Sequence, residues 1–124
     1  MCSSDLDPNS TTKLATLQFN SGFGSSTTAY GCRAWGKYNG VTPALNGSGN
    51  ISSTSRTSTG YYTISFSSAM PDVNYSISAG AGDAAVDRAG CSPDTYATGS
   101  FRLMTWNVGN GTINMDYTSF SVHR

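Results

Sequence analysis

The chain has a single imidazole, His123, at its penultimate position, and three thiols, Cys2, Cys32 and Cys91. A Ser/His/Asp or Cys/His relay would need that imidazole ordered and oriented by a carboxylate, so no nucleophilic triad is expected. Cys32 and Cys91 fit no C-x-x-C spacing, and with one His as the only further ligand no metal site follows. Independent thiols are expected there, with a Cys32 to Cys91 disulfide as the alternative. All seven acids are Asp. A paired-carboxylate hydrolase would require two of Asp72, Asp83, Asp87, Asp94 and Asp116 to converge, and Asp72 and Asp116 sit beside turns, where Asp commonly caps. Asp83, Asp87 and Asp94 match no known calcium-loop spacing. Gly-Ala-Gly-Asp at 80–83 lacks the Lys-Ser/Thr of a phosphate loop. No catalytic residue, cofactor or metal is therefore expected.

Binding chemistry is better represented. Residues 80–99 show no convincing period between two clear strands, and a loop that long in a small domain is usually functional or disordered. It offers Asp83, Asp87, Arg88, Asp94 and Tyr96. Carboxylates accept hydroxyl protons, Arg donates to acid or ring oxygens and an aromatic face stacks, which together suit a sugar. A second set, Arg33, Trp35, Arg102, Met104 and Trp106, places Trp and Arg on one side of each of two strands. These residue types are enriched in interface cores, so this set is expected to join subunits. Period alone does not say which side of those strands faces inward.

The elements that must carry these residues are strands. Ser, Thr, Asn and Gly fill nearly half of 124 positions, Glu is absent, and only 11% of residues are charged. With 11% aromatics, that composition implies one small all-β domain with polar turns. Zero net charge argues against nucleic acid, and no apolar run is long enough for a membrane helix. Residues 30–40 alternate Tyr30, Cys32, Ala34, Gly36 and Tyr38 against Arg33, Trp35 and Lys37. Tyr62, Ile64 and Phe66 alternate before the Met70-Pro71-Asp72 turn, and Val73, Tyr75, Ile77 and Ala79 follow, which reads as a hairpin-like pair. Residues 41–60 read as turns around one weak strand. Residues 100–107 alternate Phe101 and Leu103 against Arg102, Met104 and Trp106, and the phase changes after Tyr117, before Phe120 and Val122. Six to eight short strands predict an antiparallel β-sandwich, jelly-roll-like, with Tyr38, Tyr62, Phe66, Ile77 and Leu103 in its core.

Three domain segments are expected. Residues 1–6, Met-Cys-Ser-Ser-Asp-Leu, resemble a translated sequencing adapter and are set aside. Residues 7–28 form a polar arm or short strand, and 29–124 the head. The five Asn-x-Ser/Thr sequons are expected by chance in so Ser/Thr-rich a chain.

GFGSSTTAYGCRAWGKYNG at 22–40, YYTISFSSAMPDVNYSISAG at 61–80, SFRLMTWN at 100–107 and YTSFSV at 117–122 together resemble the carboxy-terminal domain of phage tail-fibre or tail-tip proteins, particularly from marine phages. The resemblance is specific in the Arg-Ala-Trp strand and the Ala-Met-Pro-Asp-x-Asn-Tyr turn, and fades in 41–60. It implies a virion module made in the host cytoplasm, homotrimeric, lying near the receptor-binding end of a longer fibre, with no catalytic residues. Its partners would be its own copies and a host-surface glycan or protein. A free-standing lectin-like sandwich is the alternative, and a fragment of a polysaccharide-degrading enzyme the third possibility.

Overall fold

The computed structural model describes residues 18–19, 27–28, 31–84, 88–109 and 111–124. The adapter-like residues 1–6 and most of the lead-in lie outside the described residues. Within the lead-in, β1 (Gln18–Phe19) pairs antiparallel with β2 (Thr27–Thr28) in a unit distinct from Gly31–Arg124.

Gly31–Arg124 is an all-β antiparallel sandwich. Its first sheet runs in the order β4 (Ala44–Gly49), β3 (Cys32–Asn39), β11 (Tyr117–His123), β7 (Ser76–Gly82). The second runs β10 (Gly111–Thr112), β9 (Ser100–Asn107), β6 (Tyr61–Phe66), β5 (Ile51–Ser58), with β8 (Ala89–Asp94) also paired to β9. Nine strands are thus present among the described residues of this unit, against the six to eight expected.

Period-two patterning explains the core. Ala34 and Tyr38, Tyr62, Ile64 and Phe66, Phe101 and Leu103, and Phe120 and Val122 turn inward at alternate positions of β3, β6, β9 and β11. Ile77 packs against this core from β7, half-buried. Two ring pairs stitch the layers together: Tyr38 to Tyr62 at 5.1 Å and Phe120 to Phe101 at 5.2 Å between centroids. Each such pair adds about 1 kcal/mol beyond its buried area. The open question of which side of the Trp strands faces inward is thereby answered. Trp35 and Trp106 lie on the outer sides of β3 and β9.

Three expectations from sequence are corrected. Residues 41–60 form two strands, not one, and the break between β4 and β5 is Asn50, at φ 57°. That left-handed residue turns the chain from one sheet into the other. The Asn50 amide donates to the Arg33 and Ser68 carbonyls, 3.1 Å each, and its oxygen accepts from the Ser68 amide at 2.7 Å, which holds the corner. Strands β6 and β7 do not form a hairpin, because they lie in opposite sheets. The connection buries Met70 and Tyr75 at the end of the sandwich, and the Tyr75 hydroxyl reaches the Ala97 and Ser100 carbonyls at 2.9 and 3.0 Å. Residues 80–99 are not one long loop either. The first three complete β7, and 89–94 are β8, whose Pro93 is tolerated because β8 pairs on one side only, with β9.

Candidate functional site

Of the residues expected to form one receptor patch, Arg88 and Asp94 stand apart. Arg88 precedes β8 and Asp94 ends it, so about 20 Å of extended strand separates them. Asp94 is engaged by Arg102 on the neighbouring strand, Nε to Oδ1 at 2.7 Å and Nη2 to Oδ2 at 2.8 Å. That bidentate pair holds the Asp94 carboxyl below its usual range and engages both of its oxygens. Tyr96 packs its ring against Tyr75, centroids 5.2 Å apart, with 39% of its surface exposed. Asp83 lies directly after β7, and Asp87 lies outside the described residues.

The set expected to join subunits is divided between two faces that point in opposite directions. Arg33 and Trp35 belong to β3 in the four-stranded sheet, and Arg102, Met104 and Trp106 to β9 in the five-stranded sheet. On the five-stranded side, Arg102 lies over the Tyr61 ring at 5.1 Å from its centroid, Met104 lies opposite Tyr61, and Trp106 lies over Gly90 on β8. All four outward side chains are half-buried.

The outer face of the four-stranded sheet is different in kind. Its register builds cross-strand rows. Gly49, Trp35, Ser121 and Ser78 form one, and Gly47, Lys37, Ser119 and Gly80 form the next. Tyr117 opens the third row, opposite Gly82. Small residues on β7 and β11 leave a shallow trough of about 370 Å³ lined by Ser78, Gly80, Ser119 and Ser121. Trp35 on β3 and Tyr117 on β11 belong to the same outer face and are 49% and 54% exposed. The Lys37 ammonium lies 6.0 Å from the Tyr117 ring centroid, and Ser121 Oγ lies 3.2 Å from His123 Nε2.

No protein-family model, curated protein or solved structure matches this chain. The chemistry of the face must therefore be read from its own groups. Hydroxyls that both donate and accept, two exposed rings and a central ammonium can hold a polyhydroxylated ligand. Among the described residues no group of three His, Cys or Asp side chains is placed to hold a metal ion. Cys32 and Cys91 are unlinked and lie in different sheets.

Alternation already put Lys37 beside Trp35 in sequence. Ser119 and Ser121 carried a usable signal too, a Ser-x-Ser alternating with Phe120 and Val122. Tyr117 did not, because the turn into β11 reverses its phase: Thr118 is buried and Tyr117 faces out.

Proposed function

We propose that this protein is an adhesion and structural module, the distal head of a phage tail fibre, which packs as a homotrimer and meets a host cell surface. The observation that carries the reading is the contrast between the two outer faces. The five-stranded face presents Tyr61, Met104 and Trp106, and its charges Asp94 and Arg102 are already paired. Burying that face against neighbouring copies leaves no charge stranded, which favours it as the subunit contact. The four-stranded face, with its open rings, hydroxyls and unneutralised cations, is left for the ligand. Because the two faces point apart, only one of them can turn toward a threefold axis. Joining both would stack copies into an open fibre instead of closing a ring.

Sedimentation velocity on the full chain tests the assembly. A trimer is expected, converted to a folded monomer by Met104→Asp. A monodisperse monomer that still binds glycan would favour the free-standing lectin-like sandwich, and one that binds nothing would remove both readings.

A further inference from the structure

Resting on the four-stranded face as the ligand-contacting surface, we propose that its ligand is an anionic polysaccharide, a chain of sugar rings bearing carboxylate or sulfate groups, laid across the strands from the Trp35 indole on β4 to the serine-lined trough of β11 and β7. Three independent features converge on that chemistry.

The first is a flat ring. Trp35 lies directly opposite Gly49, and a Cβ there would overlap the indole Nε1, while a Cβ at Gly47 would meet the far edge of the same ring in ordinary contact at 3.6 Å. Gly49 thus lets the indole lie down on β4 with its upper face open, the geometry on which the C–H face of a sugar stacks. The second is the floor. Ser78, Ser119 and Ser121 offer hydroxyls that can both donate and accept, as sugar hydroxyls require.

The third is charge. The whole chain is neutral, yet the four strands of this sheet hold Arg33 and Lys37 and not one Asp, with Asp83 and Asp116 just beyond the ends of β7 and β11. Among the described residues neither Arg33 nor Lys37 is in an ion pair. A neutral glycan would leave these cations unused, and an acidic peptide would leave the flat indole unused. Only a charged sugar chain uses all three features. The span is adequate: the row from Gly49 on β4, which the indole covers, to Ser78 on β7 crosses three strand spacings, about 14 Å.

Affinity electrophoresis of the full chain tests this in gels containing alginate (carboxylate sugars), dextran sulfate (sulfate sugars), neutral dextran, or poly-L-aspartate, a polyanion without sugar rings. Retardation is expected with alginate or dextran sulfate, whichever anion the site takes, and not with dextran or poly-L-aspartate. It should weaken with added salt. Trp35→Ala and Lys37→Gln should each weaken it about tenfold, the scale of a binding hot spot, while Val108→Ala, in the exposed turn after β9, leaves it unchanged. Lys37→Gln alters an exposed side chain, so its effect stays interpretable if Trp35→Ala lowers the melting temperature. Equal retardation by dextran would overturn the anionic class but spare the face as a contact surface. Equal retardation by poly-L-aspartate would overturn the sugar. Retardation unchanged in both the Trp35 and Lys37 variants would overturn the ligand and the contact surface together. Retardation by no polymer overturns the ligand class, while sedimentation still decides the trimer separately.

Discussion

Two core tyrosines, alike in burial, are placed to respond in opposite ways to loss of their hydroxyls. The Tyr62 hydroxyl lies 2.8 Å from the Gly40 carbonyl and 2.7 Å from Asn114 Oδ1, and Asn114 also accepts from the Gly60 amide at 2.9 Å. It pins the connection that crosses into β11. The Tyr38 hydroxyl is equally buried, and neither it nor its neighbour Thr118 Oγ1 has a hydrogen-bond partner of good geometry. Desolvation raises the pKa of both phenols, far more for Tyr38. Deleting a buried hydrogen-bonded hydroxyl strands its partners and costs about 1–3 kcal/mol, whereas deleting an unsatisfied one is neutral or stabilising by up to about 1 kcal/mol. Urea denaturation should therefore show Tyr62→Phe clearly less stable than the parent and Tyr38→Phe at least as stable. A matching loss in both variants would mean that Tyr38 has a partner after all.

At the level of the strand, both outward tryptophans follow one rule: each lies across a glycine directly opposite in the neighbouring strand, Trp35 over Gly49 and Trp106 over Gly90. The glycine contributes no packing of its own, and the indole covers the backbone it exposes. Side chains added at Gly90 would meet the Trp106 ring, so Gly90→Val should lift the indole and loosen β8 from β9, at a cost of about 1–3 kcal/mol. Thermal melting with a red-shifted indole emission would report it; an unshifted spectrum and unchanged melting would refute the rule. The same pairs show what could be read in the sequence. Strands β3, β6, β9 and most of β11 were legible because large apolar residues recur at every second position. Strands β4 and β8 were not. ALNGSG has one large apolar side chain and AGCSPD none beyond Cys91 and Pro93, so backbone pairing to a patterned neighbour makes them strands. The trough was illegible for a related reason. It exists only through the register of β11 against β3 and β7, segments some eighty and forty positions apart in the chain.

For the molecule as a whole, the ionisable groups define a stability plateau with two edges of different origin. Arg124 donates to both Asp72 oxygens, and Arg102 grips Asp94 in the same way. These hydrogen bonds hold both carboxyls below their usual 3.8. A carboxyl depressed by folding stabilises while ionised, so its contribution is full above that ordinary value and is lost as pH falls through the lower folded one. On the alkaline side, burial pushes the Cys91 thiol from 9.0 up to about 11 and raises Tyr38, Tyr62 and Tyr75 as well. A group kept neutral by burial stabilises fully below its ordinary pKa, and that contribution declines as pH rises toward the folded value. Melting temperature should thus be flat between about pH 4 and 9 and fall on both sides. Salt separates the two edges. Both ion pairs are partly exposed to solvent, so the acid fall should be shallow and shrink further at high ionic strength, whereas the alkaline fall arises from desolvation and should persist. Replacing Cys91 with Ala removes one contributor, so it should delay the alkaline fall and leave the acid edge in place. An alkaline edge unmoved by that replacement would assign it to the buried phenols alone, and an acid edge indifferent to salt would show that the two arginine pairs do not set it.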